Sequence, residues 1–291
     1  MATPIYSTSV VIDRFSGLNQ TGDGYNTSMR YARDAENVDV TGGSFRPMRE
    51  GQKLEQSLPS PIGTLAYLHR RFGLYTGTIL VAISDGKVYT KLMDGDDEWV
   101  ECYEGLKENN CDWVTYEYNP PGGENTAGPV DVLLFTNAKD GMFCLYGDTM
   151  DVIPVVTPKK FGVLARYNER IWGSGIEGDP DTLMYSAAYN PFDWSANAEI
   201  PEDGAGEIMQ PTWDGDSFVA LRQFGSDMLA VKRNSVWRIY GTNPGEFVMQ
   251  RQYGGGTIEE NTLIVHDDLA YMLGEHGLMR YDGTGVYAFL S

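Results

Sequence analysis

ILVAISDGKVYTKL (Ile79 to Leu92) reads as a β-hairpin whose first strand is apolar on both faces. Ile79, Val81 and Ile83 point one way while Leu80 and Ala82 point the other, the pattern of a strand covered on both sides. Ser84-Asp85-Gly86 then supplies the small, polar residues that a tight turn with positive φ angles requires. The unit recurs as VLLFTNAKDGMFCLY (Val132 to Tyr146), MLAVKRNSVWRIYG (Met228 to Gly241) and LAYMLGEHGLMRYDG (Leu269 to Gly283). A looser copy, RIWGSGIEGDPDTLMYSA, spans Arg170 to Ala187. Turns centred near Asp85, Asp140, Gly178, Asn234 and His276 recur roughly every 40 to 55 residues, the range of four-stranded propeller blades.

Flanking segments complete the units. LAYLHRRF (Leu65 to Phe72) precedes the first hairpin and EWVECYEGL (Glu98 to Leu106) follows it; SFVALRQF (Ser217 to Phe224) and EFVMQRQY (Glu246 to Tyr253) bracket the fourth. No long i, i+3, i+4 apolar stripe occurs, and 34 Gly with 14 Pro oppose helices. The expected fold is all-β: a propeller of four-stranded antiparallel blades over residues 64–291, five recognisable and a sixth allowed from terminal segments. Residues 1–63 form an N-terminal arm, in which SVVIDRF (Ser9 to Phe15) is a strand available to close the ring and cover an exposed edge.

The formal charge of −19 argues against general affinity for nucleic acid or anionic membranes. Residues 1–50 hold five arginines against six acids, so nearly all of the excess lies beyond them. Arg14, Arg30, Arg33, Arg46 and Arg49 are therefore candidate partner-docking residues, offering guanidinium forks to carboxylates of a neighbour. Asp94, Asp96, Asp97, Glu202 and Asp203 are candidate acids for the wall of any channel, with a solubility coat as the alternative.

Catalytic patterns are weak. His69, His266 and His276 are far apart in sequence, and no nucleophile and base are paired with them. Cys102, Cys111 and Cys144 show no zinc spacing and read as buried thiols of a protein made in a reducing cytoplasm. DGDDEW (Asp94 to Trp99) lacks the glycine and glutamate that a calcium loop of the EF-hand type needs. SDGKVY (Ser84 to Tyr89) only distantly echoes the sialidase turn. Neither a cofactor nor a metal is expected, no run is long enough for a membrane span, and no enzymatic activity is read from the chain. The six Trp and 18 Tyr fit blade packing, and a sugar-binding groove is the alternative.

FSGLNQTGDGYNTSMRYARDAENVDVTGGSFRPMREG (Phe15 to Gly51) resembles the opening of bacteriophage tail-hub proteins, the packaged-DNA stabilisation and nozzle-type propellers. The matching positions are Phe15, Gly17, Leu18 and Asn19, then Ala32 or Ala35 with Asn37 and Val38, then Gly43, Arg46, Arg49 and Gly51; Pro47 and Met48 depart from the pattern. RYNERIWGSGIEGDPDTLMYSAAYNPFDW (Arg166 to Trp194) is similar to the family's strand, hairpin and Tyr-Ser…Pro-x-Asp-Trp ending, and His266 to Gly283 to its late blade. The resemblance implies a structural part of a virion tail or head-to-tail connector, assembled as a homo-oligomeric ring with other tail proteins and extending the genome channel. DNA would pass without tight binding. A carbohydrate-binding or glycoside-hydrolysing propeller, such as a receptor-binding tail part, is the alternative, and a host regulatory propeller ranks third. Many relatives run longer, whereas this chain stops at Ser291 just after the strand-like YAFL, so it is either a short family member or has its last blade completed by another segment, and closure by the N-terminus is expected.

Overall fold

The computed structural model describes residues 58–71, 76–93, 98–119, 128–209, 211, 215–259, 262–275 and 277–288, with four short backbone strands nearer the N-terminus. The chain divides into two compact units, Met1–Glu55 and Gln56–Ser291. In the first, β1 (Gly17–Leu18) pairs in parallel with β2 (Tyr31–Ala32), and β3 (Val38–Asp39) pairs antiparallel with β4 (Arg46–Pro47). Several residues that carry the sequence resemblance, among them Gly17, Leu18, Ala32, Val38 and Arg46, fall in these ladders.

The second unit is a β-propeller of five four-stranded antiparallel sheets, each built from strands consecutive in the chain. Sheet 1 comprises β5 (Thr64–Arg70), β6 (Gly77–Ser84), β7 (Lys87–Leu92) and β8 (Val100–Glu104). Sheet 2 comprises β9 (Asp112–Tyr118), β10 (Val130–Asn137), β11 (Gly141–Tyr146) and β12 (Val152–Pro154). Sheet 3 comprises β13 (Val163–Tyr167), β14 (Arg170–Ser174), β15 (Thr182–Tyr185) and β16 (Gly206–Met209). Sheet 4 comprises β17 (Phe218–Phe224), β18 (Asp227–Lys232), β19 (Val236–Tyr240) and β20 (Val248–Arg251). Sheet 5 comprises β21 (Ile264–His266), β22 (Leu269–Gly274), β23 (Gly277–Tyr281) and β24 (Val286–Ala288). Among the described residues no α-helix forms.

Four apolar cores lie between consecutive sheets. β10 shows why its sequence is apolar at every step: Leu133 and Phe135 enter the core shared with sheet 1, while Val132 and Leu134 enter the core shared with sheet 3. All eight of its residues are buried. Sheet 5 departs from the two-faced expectation. Ala270 and Met272 are buried against sheet 4, but Leu273 on the opposite face is 38% exposed and Ile264 and Leu278 are exposed with it. As the terminal member of the stack, this sheet has a neighbouring sheet on one side only among the described residues.

The fourth strand of sheet 5 comes from the C-terminal run itself, because β24 pairs with β23 through Tyr281 and Val286. This blade therefore reaches four strands without an N-terminal segment. Residues 9–15, the expected closing strand, lie outside the described residues, and with them any sixth blade.

Turn chemistry follows the sequence. Asp85 and Gly86 both take positive φ, 52° and 72°, in the two-residue turn between β6 and β7. A Cβ on Gly86 would come within 2.6 Å of the Leu106 carbonyl, so both the turn and the close approach require glycine. Gly173 has a different reason: the Phe161 ring occupies the space its Cβ would need, at 2.5 Å.

Candidate functional site

The first strands of the sheets are the innermost, with β13 packed between β9 and β17 and β5 against β9 and β10. Among the described residues no further strand pairs with their inner edges, and their outward side chains line a groove that holds Tyr67, Arg71, Glu117, Arg166 and Arg222. β5 alternates strictly, burying Thr64, Ala66, Leu68 and Arg70 and presenting Leu65, Tyr67 and His69 outward. Tyr67 is 54% exposed, and its ring meets Trp113 of β9 edge-on with centroids 5.3 Å apart.

Asp112 stands at the start of β9 and is 2% exposed. Its carboxylate accepts two hydrogen bonds from the Arg222 guanidinium of β17, at 3.0 and 3.1 Å, and one from the Leu164 backbone N–H of β13 at 2.9 Å. One side chain thus joins sheets 2, 3 and 4 at their inner edges. Asp131 of β10 does the same for sheets 1 and 2: it accepts from the Arg71 backbone N–H at 2.6 Å and from its guanidinium at 2.8 and 3.2 Å. Glu117 takes a further bond from Arg71 at 3.1 Å.

A cavity of about 310 Å³ opens between β5, β9 and β13, with Tyr67, His69, Arg71, Thr115, Glu117 and Arg166 on its walls. A second, of about 260 Å³, continues along Trp113, Arg166 and Arg222. Arg166 borders both; its guanidinium lies 5.1 Å from the Tyr116 ring centroid and donates to Glu169 at 2.9 Å. Glu169 adopts φ 56°, a conformation uncommon for a residue with a side chain. The strain is held by three contacts: the Arg166 bond, a hydrogen bond from the Tyr116 hydroxyl to its carbonyl at 2.9 Å, and one from the Tyr189 N–H at 2.9 Å.

Burial raises the Tyr116 phenol to about 12, with the neighbouring Glu169 carboxylate adding to the shift, and burial raises Tyr146 to about 12 as well. An unfolded chain releases these protons near pH 10. The folded state therefore holds protons that the unfolded state has lost, so this stabilisation is complete below pH 10 and disappears as pH rises through 12. The urea midpoint should fall across that interval, and Tyr116→Phe should flatten part of the fall; a slope identical in the variant would contradict this account of Tyr116.

Two further buried cations, Lys232 and Arg170, hold sheets and loops. Lys232, fully buried, pairs with Asp181, which immediately precedes β15 of sheet 3, and lies 4.7 Å from the Phe218 ring centroid. Arg170, at the start of β14, donates to the carbonyls of Ser186 at 2.8 Å, Gly204 at 2.7 Å and Glu202. It thereby closes the long connection between β15 and β16. Within that connection Phe192 packs edge-on against Tyr118 at 4.8 Å and Trp194 against Phe161 at 5.0 Å, and both join the core between sheets 2 and 3.

Of the acids singled out in the sequence, Glu202 and Asp203 are exposed on this connection, between the two outer strands of sheet 3. Asp94, Asp96 and Asp97 lie outside the described residues. So do Arg14, Arg30, Arg33, Arg49 and the side chain of Arg46, whose backbone is in β4. His69 accompanies Thr78, 2.5 Å from its Nδ1, on sheet 1, while His266 is exposed on sheet 5; the structure does not bring these two together, and His276 is not described. Cys111 and Cys144 are buried free thiols and Cys102 is half-buried; burial pushes the Cys144 thiol far up.

Sequence reasoning did not reach Asp112, Asp131, Arg71, Arg166 or Arg222. A signal existed for one of them: Asp131 interrupts the apolar run VDVLLFTN, and a carboxylate in a strand buried on both faces demands a cation.

No protein-family model matches this sequence, and no curated protein matches it. Among solved structures, virginiamycin B lyase from Staphylococcus aureus is similar at 10% identity and a TM-score of 0.48, over 88% of this chain and 78% of that one. Its catalytically inactive H270A form with quinupristin gives 11% identity and 0.45, over 86% and 76%. BBS1N in complex with ARL6DN gives 10% and 0.48, over 80% of this chain and 68% of that one. Likeness at this level carries no inference about activity or partners.

Proposed function

We propose that this chain is a structural propeller of a bacteriophage virion, a tail or head-to-tail connector component that works as a subunit of an oligomeric ring and turns over no substrate. The reading rests on what the Arg166–Trp194 stretch, which carries part of the sequence resemblance, does physically. Its ending Asn-Pro-Phe-Asp-Trp places Phe192 and Trp194 in the core between sheets 2 and 3, and its Arg170 ties down the connection that holds them. These residues serve rigidity, which a load-bearing ring requires and a motif for chemistry would not supply. The charge of −19 repels phosphate, so that a duplex passing nearby would slide without adhering.

Native mass spectrometry of the purified protein, alone and mixed with purified phage portal and tail proteins, tests the reading. One fixed stoichiometry, with no turnover on a glycoside panel, is the expected result. A protein that remains monomeric in the presence of those partners, or that hydrolyses a glycoside, would overturn it.

A further inference from the structure

We infer that the 310 Å³ cavity between β5, β9 and β13 is a binding site for a neutral sugar ring, a function beyond the structural role and independent of it. Its volume lies at the low end for small-molecule sites and suits a single pyranose unit. Tyr67 supplies an exposed aromatic surface, braced by Trp113 so that its orientation is fixed before a ligand arrives. The C–H face of a pyranose is apolar with slightly positive hydrogens, which complements the negative face of an aromatic ring.

Hydroxyl groups need donors and acceptors set side by side, and the cavity offers both. Arg166 uses one nitrogen on Glu169, and among the described residues nothing else accepts from its Nε or Nη1. Glu117 engages Arg71 through Oε2, and Oε1 has no partner among the described residues. Thr115 adds a hydroxyl on the same wall.

Charge selects against an anionic ligand. Two guanidiniums, Arg71 and Arg166, face three carboxylates, Glu117, Asp131 and Glu169, in a protein that is already strongly acidic. A phosphate or sialic acid would meet net repulsion there. Binding without hydrolysis is expected, because glycoside cleavage takes two available carboxyl groups and Asp131 is buried against Arg71. Glu169 is held by Arg166 and does not line the cavity, so among the described residues that line it Glu117 is the carboxylate that remains to face a ligand.

The test is saturation-transfer NMR and calorimetry on the intact protein with methyl β-glucoside, methyl β-galactoside, methyl α-mannoside, N-acetylglucosamine, sialic acid and inorganic sulfate. At least one neutral sugar should bind. Tyr67→Ala and Glu117→Gln should each weaken it by about tenfold, the loss of one stacking or charge-assisted contact. Both side chains are exposed enough to be replaced without unfolding the sheet, and circular dichroism on each variant checks this. Tyr253→Ala, a 78% exposed tyrosine remote from the cavity, should leave binding unchanged. The proposal is overturned if no neutral sugar binds, if only sialic acid or sulfate does, or if Tyr253→Ala weakens binding as much as Tyr67→Ala.

Discussion

Asp112→Ala should lower the unfolding free energy by about 3–5 kcal/mol, the usual cost of removing one partner from a buried ion pair. For a domain of this size that is a fall in Tm on the order of 10 °C. The effect is large because this carboxylate accepts three hydrogen bonds from two other sheets, and its loss leaves the Leu164 N–H and the Arg222 guanidinium without this shared acceptor. Arg222→Ala should cost a comparable amount, since it leaves a buried carboxylate without its cation. The double variant should cost clearly less than the sum of the two, and that shortfall measures the coupling. Asp112→Asn separates the components: an amide oxygen can still accept from Leu164, so its cost should be intermediate. Equal stability of Asp112→Ala and Thr115→Ala, a neighbouring half-buried control, would remove Asp112 as the joint between sheets.

The hairpins were legible in the sequence because their cause is local. Positive φ at Asp85 and Gly86 and the short turns after Asn137 and Lys232 follow from residue type within four positions. Face patterning was legible where a strand has a sheet on each side, as in β10, and failed in β22. There the same apolar composition, LAYMLG, has a sheet on one side only among the described residues, and position in the stack is not written in the strand itself. The inner groove was illegible for a related reason. Asp112 and Arg222 are 110 positions apart, and Arg71 and Asp131 are 60 apart, so each pair is joined by the order of the sheets and by nothing in the local pattern. The Asn-Pro-Phe-Asp-Trp motif was visible as a motif, yet its role became physical only when Phe192 and Trp194 were seen against Tyr118 and Phe161 of preceding segments.

Arg170→Met should free the connection between β15 and β16 while leaving the five sheets in place. Methionine keeps most of the side-chain volume and removes the donors, so the change isolates the hydrogen bonds to the Ser186, Glu202 and Gly204 carbonyls. Three charge-assisted bonds lost in a buried position are worth about 3 kcal/mol or more in sum, even though burial itself disfavours this cation and lowers its pKa. Part of that cost is offset, because methionine has no charge to desolvate, and water can reach carbonyls on a connection as exposed as Glu199–Asp203. The sign is therefore destabilising, with the effect concentrated in residues 186–205. Limited proteolysis should cut the variant within that span at least about tenfold faster than the parent, since each 1.4 kcal/mol of local opening multiplies the open population by ten. Hydrogen exchange should show lost protection at Ala188 and Ala205, whose N–H groups bond within the connection, while β14 amides stay protected. Phe192 and Trp194 would then leave the core between sheets 2 and 3 more often, and ring assembly should weaken in step with the cleavage rate if that clamp sets the blade geometry. Cleavage spread evenly over all five sheets would instead make Arg170 a general stabiliser of the propeller and detach the motif from any role in assembly.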